Sequence, residues 1–207
     1  LDAPVFTLTH AMGFKGVLGG EYNFNRTEAS IWKRFWLPAS WGKIDCSVKA
    51  GAEWNTVPFP LLILPEANLS YITQRETFCL INNMEFLNDR FASMSISYDM
   101  NGKLFNRIPL LKNLKWREMF RVRALWGTLT DKNNPFKSSN PDLFRFPTRD
   151  GKFTSFVMDP KVPYIEGSVG IYNIFKLLHV EYVHRFTYRD NPGINKNGIR
   201  FMVLMVF

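Results

Sequence analysis

The chain has 207 residues, with 26 Lys and Arg against 18 Asp and Glu, a formal net charge of +8, and an aromatic content of 15%. This composition excludes an intrinsically disordered chain, because disordered sequences are poor in apolar and aromatic residues. No run of about 18 uninterrupted apolar residues occurs, which excludes a membrane-spanning helix but leaves a membrane-spanning barrel open. The two cysteines, Cys46 and Cys79, are too far apart in sequence for a zinc module.

Alternating apolar and polar residues predict about eight β-strands, each with one apolar and one polar face. The clearest example is segment 43–55, in which Ile44, Cys46 and Val48 are separated by charged or polar residues. The sequence therefore predicts an all-β protein. In chain order, the predicted strands are residues 5–14, 21–37, 43–55, 83–101, 116–128, 163–173, 178–189 and 198–207.

The polar faces of these strands carry charges of both signs, which a barrel would point into its lumen. Either a selective pore or an ion-pair network that fills a closed interior would explain them. We favour the network, because a charge in a low-dielectric interior needs a partner and mixed signs supply one. Cross-strand pairs are expected among the members on the last three strands, which are Glu166, Glu181, Arg185 and Arg200. The complete predicted network is Asp45, Lys49, Glu53, Asp99, Arg117, Arg121, Arg123, Glu166, Glu181, Arg185 and Arg200.

Strand length and the placement of aromatic residues favour a transmembrane antiparallel β-barrel over a soluble sandwich or lipocalin-like barrel. The predicted strands reach about ten or more residues, whereas globular strands average about five or six. Trp and Tyr cluster near strand ends, as in the girdles of membrane barrels. The long connections 56–82 and 131–162 fall at the same end of an up-and-down sheet, as extracellular loops do. A soluble all-β ligand-binding module stays open as the alternative.

A basic and aromatic cluster at residues 32–36, with the sequence Trp-Lys-Arg-Phe-Trp, raises the question of nucleic-acid binding. The two-residue period of a strand sends Trp32 and Arg34 to the face opposite Phe35, so the cluster does not form one binding surface. A belt of aromatic and cationic side chains at a membrane interface explains it better. We therefore expect no nucleic-acid partner.

Residues that could support catalysis or metal binding are sparse. His179 and His184 lie five residues apart on one predicted strand and so point to opposite faces, where they cannot share a metal. No G-x-S-x-G or comparable nucleophile motif occurs. We expect no enzymatic activity, no catalytic residue, no metal and no cofactor.

Several segments resemble one family in the correct order along the chain, over residues 32–207. The family is a group of Bacteroidetes outer-membrane proteins of unknown function, in which a carboxypeptidase-regulatory-like domain precedes a barrel. The matching segments are VPFPLL at 57–62, NMEFLNDRF at 83–91, NRIPLLK at 106–112, PYIE at 163–166, GIYNIFK at 170–176 and YVHRFTYRDNP at 182–192.

The resemblance implies a barrel related to the sixteen-stranded bacterial surface antigen superfamily, which contains barrel-assembly factors and two-partner secretion transporters. Residues 1–207 would form its C-terminal half, with the N-terminal half and a periplasmic domain outside this chain. Alone, the chain should be a curved open sheet in which segment 5–14 is an unpaired edge. The loop 56–82 would fold into the lumen, although it lacks the Arg-Gly-aromatic motif of that superfamily.

The same resemblance implies the location, the partners and the role of the protein. The location would be the bacterial outer membrane, in contact with the lipid bilayer and lipopolysaccharide. The barrel-assembly machinery would be a partner during biogenesis, and the role would be transport, assembly or surface scaffolding.

The last predicted strand resembles the C-terminal strands of outer-membrane barrel proteins, which end on an aromatic residue. Its alternate residues form an apolar stripe that would face lipid and serve as an assembly signal. The stripe consists of Ile199, Phe201, Val203, Met205 and Phe207.

Overall fold

The computed structural model describes residues 3–68, 70–72, 76–137, 143, 145–146, 148–149 and 151–203. Its strands, apart from a separate hairpin of β6 and β7, form one antiparallel sheet of eight strands in which each strand pairs with the next. The prediction of an all-β protein with eight consecutive strands is therefore confirmed. The strands are β1 (Val5–Gly13), β2 (Phe24–Trp36), β3 (Lys43–Glu53), β4 (Arg90–Asp99), β5 (Arg117–Thr128), β6 (Thr148–Arg149), β7 (Lys152–Phe153), β8 (Tyr164–Ile174), β9 (Leu178–Arg185) and β10 (Asn197–Val203).

The sheet is curved and open. Arg26 on β2 and Met202 on β10 line the same cavity although they are six strand steps apart. A flat sheet would separate them by about 29 Å, since neighbouring strands lie about 4.8 Å apart. Among the described residues β1 and β10 do not pair with each other, which confirms the expected open sheet. The outer edge of β10 is partly covered instead, because the Phe201 amide donates to the Tyr71 carbonyl at 2.8 Å.

Two predicted strands extend at least four residues too far, and in both cases the reason is local. Residues 83–89 were expected in the fourth strand, but Phe86 and its neighbour Leu87 are both fully buried, which a strand with one buried face does not allow. Strand β4 therefore begins at Arg90. Strand β9 ends at Arg185 rather than 189, and Tyr188 adopts a left-handed φ of 52° that breaks the extended conformation.

The helical segments are short. The only α-helix in the described ranges is α1 (Pro109–Leu114), which begins with a proline whose missing N–H needs no partner in the first turn. It ends where Lys115 takes a left-handed φ of 55°. No helix within these ranges is long and apolar enough to span a bilayer.

The links between strands define two ends of the sheet. The links 14–23, 54–89, 129–163 and 186–196 lie at one end, which we call the loop end. The links 37–42, 100–116 and 175–177 lie at the other, which we call the α1 end.

The buried apolar residues lie between the sheet and two of the loop-end links. One cluster contains Phe78, Phe86 and Tyr164, and another contains Leu87 and Leu129. We call residues 54–89 the inserted loop, because it packs on the charged face of the sheet. That face is the inner face, and the opposite one is the outer face.

Candidate functional site

The inner face and the inserted loop enclose a cavity of about 580 Å³. Seven of the eight sheet strands contribute to its wall. Among the lining residues, the sheet contributes Lys49, Ser95 and Arg121, and the inserted loop contributes Glu66 and Phe78. The cavity is therefore bounded by side chains of both signs of charge together with apolar loop residues.

Ion pairs that water reaches line this wall on β2, β3 and β4, from the α1 end to the middle of the strands. The Arg34 guanidinium lies 2.6 Å from the Asp45 carboxylate, and Lys43 lies 3.8 Å from Asp99. Lys49 contacts Glu28 and Glu66, at 3.3 and 2.5 Å. Pairs that water reaches contribute little to stability, typically about 0–1 kcal/mol each. They do, however, neutralise much of the charge of the cavity wall.

A second group of charges lies deep in the protein, with every member at least nine-tenths buried. Arg123 Nη1 lies 2.9 Å from Glu166 Oε1, and Arg121 Nη1 lies 3.2 Å from Glu181 Oε2. His179 Nε2 lies 3.3 Å from the same Glu181 oxygen. These pairs join β5 to β8 and β9 across the inner face. Removing one partner of such a pair is costly, because the other charge then stays buried without compensation.

Glu166 also holds the inserted loop against the sheet. Its carboxylate accepts the backbone amides of Cys79, at 2.9 and 3.1 Å, and of Leu80, at 3.1 Å. The Tyr164 hydroxyl donates to it at 2.9 Å. On the other side of the loop, Arg200 Nη2 donates to the Cys79 carbonyl at 2.7 Å. Burial raises the pKa of the Cys79 thiol above its ordinary value, while Arg123 partly opposes the rise.

A bidentate ion pair also links the inserted loop to the sheet. Arg185 Nη2 and Nη1 lie 2.6 and 3.0 Å from the two carboxylate oxygens of Glu85. The Arg185 guanidinium also donates to the carbonyls of Leu80 and Tyr188, at 3.2 and 2.8 Å, and stacks 4.8 Å from the Tyr164 ring. Both ionic side chains are essentially inaccessible to water. The inserted loop is therefore fixed by a fully desolvated charge pair.

The structure places the predicted network residues on the inner face of their strands. Five of them are deeply buried on β5, β8 and β9, and together with His179 we call them the buried group. These five are Arg121, Arg123, Glu166, Glu181 and Arg185. The remaining members, apart from Lys49 in the middle of β3, lie near strand ends or on the edge strand β10. Asp45, Lys49 and Asp99 are half-buried, Glu53 is buried beside Arg26 at the loop end, Arg117 is exposed at the α1 end, and Arg200 contacts the inserted loop.

The expected pairing among the last three strands is wrong in its partners. Glu166 and Arg185 are opposite each other in the β8–β9 register, and so are Glu181 and Arg200 in the β9–β10 register. The ion pairs instead join these glutamates to β5, and Arg185 to Glu85 of the inserted loop. A loop that reaches into the inner face supplies partners that strand alternation cannot reveal. No sequence signal marks Glu85 for this role, because residues 83–89 imitate the alternation of a strand.

The described residues offer no arrangement for a nucleophilic relay at the buried group. Ser168 Oγ and His179 Nε2 both contact Glu181 Oε2, each at 3.3 Å, rather than each other. Within the described residues, no set of three His, Cys, Asp or Glu side chains is placed to hold a metal ion. What this arrangement does chemically is to pair buried charges and hold a loop.

The outer face is apolar and open to the surroundings. Leu8 on β1 is 75% exposed, and Val203 on β10 is 60% exposed. In the predicted assembly stripe, Ile199, Phe201 and Val203 are on this face, and Met205 and Phe207 lie outside the described residues. Other exposed outer-face residues are Phe6, Phe35, Val48, Phe120, Val122, Val169 and Tyr182.

Comparison with known proteins gives one match. The family model described as "Family of unknown function (DUF5686) C-terminal domain" matches residues 1–137. No curated protein and no solved structure matches the chain. The resemblance to a family of unknown function is thereby confirmed over residues 1–137, the resemblance of the segments at 163–192 lies outside the matched range, and the relation to the surface antigen superfamily stays a prediction.

Proposed function

We propose that this chain, which belongs to the DUF5686 family and matches the C-terminal domain of that family, is part of an outer-membrane β-barrel with a scaffold or assembly role. In this proposal the outer face contacts lipid. The inner face forms the wall of a lumen that the inserted loop fills from the loop end. The neighbours of the protein would be the lipid bilayer, lipopolysaccharide and, during biogenesis, the barrel-assembly machinery.

The observation that supports this proposal is an inverted distribution of polarity. Arg123, Glu166 and Arg185 are buried, whereas large apolar residues of the same sheet, such as Leu8 and Val122, are exposed. Soluble proteins rarely expose apolar patches larger than a few hundred Å², because burying apolar surface is their main source of stability. In a membrane barrel the apolar residues point outward to lipid and the polar residues point inward to the lumen.

Aromatic residues near both ends of the strands support the same placement. Trp36 and Trp41 are exposed at the α1 end, and Trp54 and Trp126 are exposed toward the loop end. Tryptophan is favoured at the two membrane–water interfaces, because its ring is apolar and its N–H needs a polar partner. Two such belts are the expected feature of a sheet that crosses a bilayer.

The packing of the inserted loop favours a scaffold or assembly role over a freely open pore. Opening the lumen would require the loop to leave Glu166 and to break the Glu85–Arg185 pair. Uncompensated buried charges make that step costly. A transport role would therefore need a conformational change of the inserted loop.

Three measurements on the full-length protein test the proposal. We expect detergent to be required for its extraction from cell envelopes, and its electrophoretic mobility to change on heating, as for folded barrels. Recovery in a soluble fraction without detergent would overturn membrane insertion and favour the soluble ligand-binding module. In planar bilayers we expect little conductance, and large steady conductance would contradict a filled lumen.

A further inference from the structure

We infer that the α1 end is a docking surface for the headgroups of anionic phospholipids. This inference rests on the proposed function and adds to it the chemistry of the lipid that the α1 end contacts. The surface consists of the links 37–42, 100–116 and 175–177.

The charge of the two ends of the sheet differs sharply. The links of the α1 end contain five Lys and Arg and no Asp or Glu. The links of the loop end contain ten of each sign. The net positive charge of the links is therefore confined to the α1 end. The five cations are Lys103, Arg107, Lys112, Lys115 and Lys176.

Contacts join the link 37–42 to the link 100–116, and join the latter to the end of β8, which the turn 175–177 follows, so the five cations lie at the same end of the sheet. Lys103 Nζ donates to the Ala39 carbonyl at 3.0 Å and lies 5.0 Å from the centre of the Trp41 ring. Asn173 Nδ2, at the end of β8, donates to the Lys115 carbonyl at 2.7 Å. The ion pairs found among the described residues include none of the five cations. Their charge is therefore available to an external anion.

Large apolar side chains accompany the cations. In α1, Leu110 is 82% exposed, and Leu114 is also exposed. Phe175, in the β8–β9 turn, is exposed beside Lys176. Exposed apolar residues next to lysines are typical of segments that lie in the interface of an anionic membrane, where the rings and leucines enter the acyl boundary and the ammonium groups meet phosphates.

The lengths of the links indicate which lipid the surface meets. The α1-end links have six, 17 and three residues, and the loop-end links have 10, 36, 35 and 11. In outer-membrane barrels the shorter turns face the periplasm and the longer loops face outside. The α1 end would therefore meet the periplasmic leaflet, whose anions are phospholipid headgroups.

The test compares two variants of the full-length protein, each lacking four cations. In one, Arg107, Lys112, Lys115 and Lys176 at the α1 end are replaced by Gln. The matched control has the same change at four exposed cations of the loop end, which are Lys152, Lys161, Arg189 and Lys196. Each protein, folded in non-ionic detergent, is titrated with short-chain phosphatidylglycerol, phosphatidylcholine and lipid A.

We expect the wild type and the control to bind phosphatidylglycerol at least about tenfold more tightly than phosphatidylcholine, because only the first carries a net negative charge. The α1-end variant should lose this preference, and about 0.5 M salt should weaken it in the wild type. An equal loss in both variants, a preference that survives the α1-end changes, or tighter binding of lipid A than of phosphatidylglycerol would overturn the inference.

Heat-modifiable mobility is measured first on all three proteins, which separates the two proposals. A wild type that is soluble without detergent and shows no such mobility overturns the proposed function. A wild type that folds as a barrel but lacks the lipid preference overturns only the docking surface. If the α1-end variant does not fold, the docking surface is tested by the salt dependence of phosphatidylglycerol binding to the wild type.

Discussion

The ion pair between Glu85 and Arg185 should be the most sensitive single point in the attachment of the inserted loop. In Glu85→Gln the side chain keeps nearly the same shape but loses its charge. The wild-type carboxylate accepts from Arg185 at 2.6 and 3.0 Å, from the Asn82 amide at 3.0 Å and from Asn191 Nδ2 at 2.9 Å. In glutamine an NH2 group replaces one of the two carboxylate oxygens, so a hydrogen-bond donor would face these donors.

The size of the effect follows from burial. The Arg185 side chain is 0% exposed and that of Glu85 is 2% exposed, so water cannot replace the missing carboxylate. Breaking a buried pair by removing one partner typically costs about 3–5 kcal/mol. Carbonyl groups of Leu80 and Tyr188 remain as acceptors for Arg185, so we expect a value near the lower limit, about 3 kcal/mol.

Glu66→Gln is the matched control on the same inserted loop. Glu66 pairs with Lys49, but its side chain is 47% exposed, and such a pair contributes about 0–1 kcal/mol. The free energy of unfolding is measured by urea titration in detergent micelles, with tryptophan fluorescence as the signal. A Glu85→Gln cost that does not exceed the Glu66→Gln cost by at least about 1 kcal/mol would show that the buried pair does not hold the loop.

Three further changes test the outer face, the buried thiol and the last residue of the predicted assembly stripe. Val122→Arg, at mid-strand on the outer face, should cost about 2–4 kcal/mol of folding free energy in lipid vesicles. An equal cost for Ser47→Arg on the inner face, where Ser47 lines the cavity opposite Trp32 and Ser95, would contradict the orientation. In a Cys46→Ser background, Cys79 should react with maleimide roughly 100-fold more slowly than in urea at pH 8, because its raised pKa and burial leave little accessible thiolate; similar rates would refute this. Phe207→Asp should lower the folded protein in the outer membrane while synthesis stays constant, and an unchanged yield would remove the assembly-signal interpretation.

The alternation of residues was sufficient to predict which residues share a face of the sheet. Asp45 on β3, Ser95 on β4 and Arg121 on β5 all line the cavity, as the two-residue period requires. This works because the side-chain period of a strand depends only on local backbone geometry. The family was also accessible from the sequence, since its motifs are contiguous segments.

The partners of the buried charges were decided only by the tertiary structure. Glu85 meets Arg185 across 100 positions of the sequence, and the Cys79 amide meets Glu166 across 87. Strand periodicity says where a side chain points but not which distant loop reaches it. Residues 83–89 imitate a strand in sequence, yet they pack as a loop because Phe86 and Leu87 both find apolar surroundings there. The family resemblance already implied the open edge of β1 and a loop inside the curved sheet, but the contacts that fill the inner face depend on segments that are remote in sequence.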